Sequence, residues 1–198
     1  MAGYQALAAV GRSITALLNQ RFLEELPTGR RPTAVMAGTA DFDKVNANAE
    51  AQIQFPAVSV FCYRLSIDRE TRPGWSAVAS FDGIPHLPLR MHVLISAWDE
   101  FVENELRWLG LAARVLESES ILTGPLLDPM GAWEPGDTVQ VVHDDLALDS
   151  MSEAFQALTT DYRLCLPYVA KVIRIDGRPQ PVAAPVATVA DRVEGPVP

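Results

Sequence analysis

The chain has 198 residues, of which 48% are hydrophobic, and its formal net charge is −9. This size suits one domain with a substantial core, and the acidic balance argues against a nucleic-acid binder or a protein that docks on anionic lipid. We find no run of about 18 apolar residues that would predict a transmembrane helix and no signal-peptide pattern in residues 1–22, so we expect assembly in the cytoplasm.

The first predicted element is an amphipathic helix. Apolar residues recur at three- and four-residue spacing from Leu7 to Phe22, which predicts a helix over residues 4–25. Residues 27–55 then predict a loop, a short strand near residues 33–36 and a second loop. Two carboxylates in this second loop, in the stretch ADFD, are interpreted as part of a polar loop and not as a site of acid–base chemistry.

Two strands joined by a long loop are predicted next. Residues 57–67 are rich in β-branched and aromatic side chains, which favours a strand. A loop with proline and glycine at both ends leads to a second strand at residues 87–99. From Leu89 to Ile95 every second position is apolar, whereas the opposite face carries polar residues such as His92. One face of this strand is therefore predicted to be core and the other partly wet.

A second long helix is predicted to begin after Asp99, which can cap its start, and to end near residue 120. Its predicted apolar stripe consists of Val102, Leu106, Leu109, Ala113 and Leu116. A stripe of this kind normally faces the core.

The last third of the domain is predicted to alternate strands with a short helix. Residues 138–144 alternate in polarity, which predicts a strand, and Ser150 and Glu153 stand at capping-box spacing, which predicts a helix start. Residues 162–176 predict the last strand. Because Pro167 cannot donate to a ladder, we expect this strand at a sheet edge or at a bulge.

The order of these elements predicts an α+β fold. We expect one domain over residues 1–178, with a mixed or antiparallel sheet and helices packed on one face. Cys62 and Cys165 both lie in predicted strands among apolar neighbours. A disulfide would require those strands to pair, so two buried, reduced thiols are the favoured interpretation.

A search for catalytic or metal-binding patterns finds little. The three histidines lack metal-site spacing, and the chain contains no G-x-S-x-G motif and no P-loop. His92 and His143 could face each other across a sheet, and His143 precedes Asp144 and Asp145. An enzyme that uses His143 and Asp144 stays open as an alternative, but the favoured interpretation has no catalytic residue, cofactor or metal.

Two groups of residues are candidates for a protein interface. Trp75 and Trp133 lie in loops rich in glycine and proline, where large aromatic side chains often anchor a partner. Arg64, Arg69 and Arg72 crowd one strand end and its loop in an otherwise acidic chain, and arginine is enriched at interfaces.

Three segments occur together in a distinctive order and spacing; they are FPAVSVFCYRLSIDRETRPGW, PLRMHVLISAWDEFVENELRWLGLAARVLESESILTG and LALDSMSEAFQALTTDYRLCLPYVAKVIRIDG. With them, residues 4–178 resemble the cap, or tail-terminator, proteins of phage-tail-like contractile injection systems. The chain departs from that pattern at Phe155, where a tryptophan is expected, and at Cys165, where a small polar residue is expected. The resemblance implies a phage tail-terminator-like fold and a hexameric ring that ends the inner tube and the sheath, without catalytic residues.

Residues 179–198 are predicted to form an arm. Prolines at the start of this segment favour an extended chain, and Val186, Val189 and Val193 then fall on one helical face. We expect the arm to dock on a neighbouring ring subunit or a sheath protein; the alternative is an arm folded back on its own domain. Two other functions also stay open, a terminator or connector of a true contractile phage and a monomeric assembly adaptor.

Overall fold

The computed structural model describes residues 3–46, 52–75, 84–146 and 163–178, together with Ser152 and Phe155. The elements in chain order are helix α1 (Ala6–Glu25), strand β1 (Thr33–Ala37), helix α2 (Thr39–Asn46), strands β2 (Ala57–Ile67) and β3 (His86–Trp98), helix α3 (Val102–Ser118), and strands β4 (Ile121–Thr123), β5 (Thr138–His143) and β6 (Cys165–Asp176). Short 3₁₀ turns occupy Arg72–Trp75, Gly124–Leu126 and Pro129–Gly131. The division predicted at residue 178 stays a prediction, because residues 179–198 lie outside the described residues.

The described strands form one sheet in the order β1-β2-β3-β6-β5-β4. The pair β1–β2 is parallel, and the other neighbouring strands are antiparallel. The sheet is therefore mixed, and the predicted α+β fold is confirmed.

The main core lies between one face of the sheet and the two long helices. The predicted core face of β3 is confirmed, since the side chains from Leu89 to Ile95 that alternate on this face are buried. Helix α1 contributes a continuous apolar face to the same cluster, made of Ala6, Val10, Ile14, Leu17, Leu18 and Phe22. The periodicity of this helix thus places its large side chains on the sheet, as its spacing predicts.

The apolar stripe predicted for the second helix is only partly correct. Leu109 and Leu116 are buried, but Val102 is 68% exposed and Leu106 is 53% exposed. The side chains that face the core are Trp108, Leu109, Ala112, Val115 and Leu116. The large Trp108 ring is buried, and its burial fixes the orientation of α3 about the helix axis. In this orientation, the side chains of Val102 and Leu106 face solvent.

The helix start also differs from the prediction in detail. The capping residue is Phe101, and its side chain makes no capping hydrogen bond. The Asp99 carboxylate lies two residues earlier and accepts hydrogen bonds from the Phe101 amide at 3.2 Å and from Trp108 Nε1 at 3.0 Å. Asp99 therefore stabilises the beginning of α3 through a buried network rather than as the capping residue itself.

The prediction that the last strand lies at a sheet edge is wrong. Strand β6 lies between β3 and β5, and Pro167 pairs with Leu94 of β3. On the other side the ladder with β5 begins only at Tyr168, so the missing N–H of Pro167 lies beside the end of that ladder. The bulge in the β3–β6 pair falls elsewhere, between Leu89 and Met91.

Three further predictions are corrected or fall partly outside the described residues. Residues 39–46 form helix α2 instead of a loop, and its Phe42 packs against Trp98. Cys165 is buried, but Cys62 is exposed beside a bulge in β2, and the two thiols form no disulfide. The helix predicted after Ser150 lies largely outside the described residues, although Phe155 is helical and buried.

Candidate interaction surface

The second face of the sheet is divided into an apolar half and a polar half. The apolar half is a smaller core cluster made of Phe42, Ile53, Ala57, Phe61, Leu94, Trp98, Phe155 and Cys165. The polar half carries an open groove of about 440 Å³, whose lining includes Trp75, Arg90, Trp133, Lys171 and Arg174. Both tryptophans that the sequence singles out therefore border one groove.

Trp133 is held in place by the segment between β4 and β5. Its Nε1 donates to the Asp128 carbonyl at 2.7 Å. The Asp128 carboxylate in turn accepts from Arg12 Nε at 2.9 Å, and its amide donates to Ser13 Oγ at 2.7 Å, which ties the segment to α1. A Cβ at Gly131 would lie only 2.3 Å from the Trp133 ring, so glycine allows this close packing.

Trp75 reaches the groove from the segment that follows β2. Its ring lies edge-on to His86, with 6.1 Å between the ring centroids. Arg72 donates from Nη1 to the His86 carbonyl at 3.1 Å, and His86 Nδ1 lies 2.5 Å from Asp176 Oδ1. Because β3 and β6 lie between β2 and β5, Trp75 and Trp133 approach the groove from different sides of that strand pair.

The floor of the groove is polar, and most of its charges are paired. Arg90 Nη2 lies 2.5 Å from Asp68 Oδ1. Arg174 Nη2 lies 3.0 Å from Glu134 Oε2, and its Nε lies 3.0 Å from Asp176 Oδ1. Paired arginines at the base of a groove with aromatic side chains on its rim suit contact with a protein surface.

We expect the Asp68–Arg90 pair to make folding stability depend on pH. Burial pushes the pKa of Asp68 up, but hydrogen bonds from Thr71 and Arg90 outweigh burial and hold this pKa below its usual value. A lowered folded-state pKa stabilises the fold above the unfolded pKa of about 3.9, and this contribution is lost as the pH falls through the folded value. The stability difference between the wild type and Asp68→Asn should therefore be large at neutral pH and shrink as the pH falls below the unfolded pKa of about 3.9.

Urea unfolding at several pH values measures this difference directly. Glu70→Gln is the matched control, because Glu70 lies 3.5 Å from the same arginine but its side chain is 87% exposed. A constant stability difference for Asp68→Asn across the pH range would contradict the proposed role of its charge.

The histidine arrangement differs from the one considered from the sequence. His143 packs edge-on against Tyr168, and Asp144 contacts His92 instead. His92 Nδ1 lies 2.7 Å from Asp144 Oδ2, and His92 Nε2 lies 2.9 Å from Ser66 Oγ.

Ser66, His92 and Asp144 contact one another in the order of a serine–histidine–carboxylate triad. The surroundings of Ser66, however, differ from those of a nucleophilic serine. A nucleophilic serine usually stands on a sharp turn next to backbone amides that form an oxyanion hole. Ser66 lies within β2, directly opposite Arg90. We therefore interpret the three groups as a polar tie that joins β2, β3 and the residues after β5.

The predicted arginines lie at the same end of the sheet as the groove, and Arg72 belongs to the same 3₁₀ turn as Trp75. Arg64 is exposed on β2, Arg69 is exposed in the following turn, and Arg72 contacts His86. Val186, Val189 and Val193 lie outside the described residues. The interface role of these residues and of Trp75 and Trp133 stays a prediction.

Sequence reasoning missed the arginines at the base of the groove. The sequence signal for them was a charged residue between apolar neighbours in a strand, as at Arg90 and Arg174. In the part of the chain that the structure describes, no cluster of three or more His, Cys, Asp or Glu side chains is placed to hold a metal. No helix there is long and apolar enough to cross a bilayer.

Comparison with known proteins identifies solved structures that share this fold. Among solved structures, the chain is similar to the PVC sheath/tube terminator of an extracellular contractile injection system, with a TM-score of 0.58 and 20% identity over 96% of this chain and 64% of that chain. It is also similar to the tube-terminating cap of the anti-feeding prophage, with a TM-score of 0.51 and 17% identity over 92% of this chain and 60% of that chain. The chain thus spans less than two thirds of the length of either protein.

Identities this low establish a shared fold, and no curated protein matches the chain. The family model for the Pvc16 N-terminal domain, however, matches residues 9–188. The resemblance to cap proteins is therefore confirmed, and the chain belongs to the Pvc16 N-terminal domain family.

Proposed function

We propose that this protein is a tail terminator that ends the inner tube and sheath of a contractile injection system. The observation that carries this proposal is the fold, which the PVC sheath/tube terminator shares over 96% of this chain. Membership in the Pvc16 N-terminal domain family supports the same role. We further propose that assembly takes place in the cytoplasm.

Symmetry explains how such a protein can stop growth. A tube or sheath grows through heterologous contacts, in which one surface of a subunit meets a different surface of the next, so growth has no intrinsic end. A closed ring of six copies satisfies its own lateral contacts and leaves two unlike faces. One face matches the last layer of the polymer, and the other offers no surface on which a further layer can form.

The architecture suits a stiff ring subunit. Apolar clusters lie on both faces of the sheet, the larger beneath α1 and α3 and the smaller around Trp98. Well-packed cores resist deformation, so such a subunit can hold a fixed shape against a polymer end.

Particles made with and without this protein provide the test. We expect loss of the protein to give tubes and sheaths of broad, uncontrolled length in electron micrographs, and expression from a plasmid to restore one narrow length. Thr28→Ala, an exposed loop substitution, is the control and should restore length as well as the wild type does. Particles of normal length in the absence of the protein would refute the terminator role.

A further inference from the structure

We propose that residues 179–185 of one copy lie in the groove between Trp75 and Trp133 of the next copy in the ring. The inference rests on the proposed terminator ring and gives that ring a lateral contact. These seven residues, PQPVAAP, begin the predicted arm and lie outside the described residues. The chemistry of the groove, the length of the segment and the direction of the chain at Arg178 all favour this placement.

The groove has the features of a site for a proline-rich segment. Such segments adopt the polyproline II conformation and dock in grooves lined by aromatic side chains. Trp75 and Trp133 border this groove, and each side chain is only partly buried. Residues 179–185 include three prolines, which favour that conformation before binding and lower the entropy cost of docking.

The floor of the groove offers hydrogen-bond donors to such an occupant. A polyproline II helix has no internal hydrogen bonds, so its carbonyl groups are free to accept from a partner. Gln140 of β5 and Lys171 of β6 are paired in the ladder, and both line the groove. Their amide and ammonium groups can donate to carbonyl oxygens, whereas Arg90 and Arg174 are already paired with carboxylates.

The proline-rich segment is long enough to contact both tryptophans. Trp75 follows β2 and Trp133 precedes β5, and β3 and β6 lie between those two strands. Three strand spacings therefore separate β2 from β5, which amounts to roughly 14 Å. Seven residues in the polyproline II conformation span about 22 Å, so residues 179–185 can cross the whole groove.

The chain is expected to continue straight on as it leaves β6. Strand β6 ends at Asp176, and the Gly177 amide donates to the Pro85 carbonyl at 2.7 Å. Arg178 and Gln180 each precede a proline, and a residue in that position avoids the helical region. The common reverse turns need helical or left-handed backbone angles at a central residue, so these turns are disfavoured before Pro181.

This direction favours the groove of a second copy. The floor residues Lys171 and Arg174 precede the end of β6, so the chain's own groove lies behind the exit. To enter it, the arm would have to reverse where the two X-Pro steps oppose a turn. An extended exit instead carries the arm about 12 Å beyond Gly177 by Pro181. Each copy supplies one arm and one groove, so the contact is heterologous and repeats until a ring closes.

Single-cysteine variants test whether an arm contacts the groove of another copy. All carry Cys62→Ser, which removes the exposed thiol, whereas Cys165 is buried. One variant adds Val182→Cys in the arm, and the other adds Gln140→Cys on the floor of the groove. When both are co-expressed and the purified particles are treated with a short bismaleimide, we expect covalent dimers. In the control, Thr28→Cys replaces Gln140→Cys and should give none, because Thr28 is exposed before β1, at the opposite end of the sheet.

A chain that carries both Val182→Cys and Gln140→Cys distinguishes the two placements of the arm. A contact between copies should give a ladder of multimers up to the size of the ring, whereas an arm folded back on its own domain gives an internal link without a ladder. An internal link, or no link, in particles of normal length would overturn the proposal. A ladder in particles of uncontrolled length would refute only the terminator role.

The role of the tryptophans is tested in the same assay. Trp75→Ala removes one aromatic side of the groove, and it should remove most of the ladder because aromatic anchors supply much of the binding energy at interfaces. An unchanged melting temperature shows that this variant folds. Phe101→Ala removes an exposed aromatic side chain outside the groove and should leave the ladder intact. Equal ladders from the two variants would show that the groove does not hold the arm.

Discussion

Replacing Trp98 with alanine is expected to destabilise the fold by about 3–5 kcal/mol, the usual cost of removing a large buried aromatic side chain. Trp98 is only 1% exposed. Its ring stacks on Phe42 with 5.5 Å between centroids, and its Nε1 donates to Ser59 Oγ at 2.8 Å. The Arg163 guanidinium lies 4.0 Å from the ring centroid. Truncation therefore removes the centre of the smaller core cluster and leaves a buried hydroxyl without its donor.

Thermal and urea unfolding measure this effect. For a chain of this length we expect a fall in melting temperature on the order of 10 °C. Phe101→Ala is the matched control, because that aromatic residue is only three positions away but exposed, and it should change stability by less than about 0.5 kcal/mol. Equal losses for the two variants would show that the cluster around Trp98 contributes little to stability.

We expect Asp99→Ala to destabilise the protein by about 1–3 kcal/mol, the usual cost of leaving a buried hydrogen-bond donor without its acceptor. The Asp99 side chain is fully buried. It accepts hydrogen bonds from Trp108 Nε1 at 3.0 Å and from Asn104 Nδ2 at 3.0 Å. Without the carboxylate, a buried indole N–H loses its acceptor and the first turn of α3 loses its connection to β3.

Two comparison variants identify which property of Asp99 matters. Asp99→Asn keeps the shape and one acceptor oxygen, so it should recover part of the free energy of unfolding that Asp99→Ala loses. Glu100→Ala changes an exposed neighbour and should leave stability nearly unchanged. If Asp99→Ala unfolded at the same urea concentration as Glu100→Ala, the buried network would not stabilise α3.

The sequence predicted several elements correctly because local chemistry determines them. Strand β2 occupies residues 57–67 as predicted, since a segment rich in β-branched and aromatic residues favours the extended conformation in a packed protein. Helix α1 and the buried face of β3 follow from periodicities of 3.6 and 2, which a chain must satisfy to bury one side. The resemblance to cap proteins likewise depended on patterns within these elements.

Other features depended on contacts between residues distant in the chain. The eight residues of α2 have no strong helical pattern in the sequence. The helix is stabilised by tertiary packing, because its Phe42 stacks on Trp98. The apolar spacing in α3 allowed two orientations, and the hydrogen bond from Trp108 to Asp99 accompanies the one observed. Pro167 was compatible with an interior strand because the adjacent ladder begins at Tyr168, which the local sequence cannot indicate.

By itself, then, the sequence determined which segments become strands and helices and which sides of them are apolar, because propensity and periodicity act over a few residues. Only the tertiary structure decided that Trp75 and Trp133 border one groove and that Val102 and Leu106 at the start of α3 are exposed. Strand order and helix rotation set those positions, and both result from the packing of side chains that are remote in sequence.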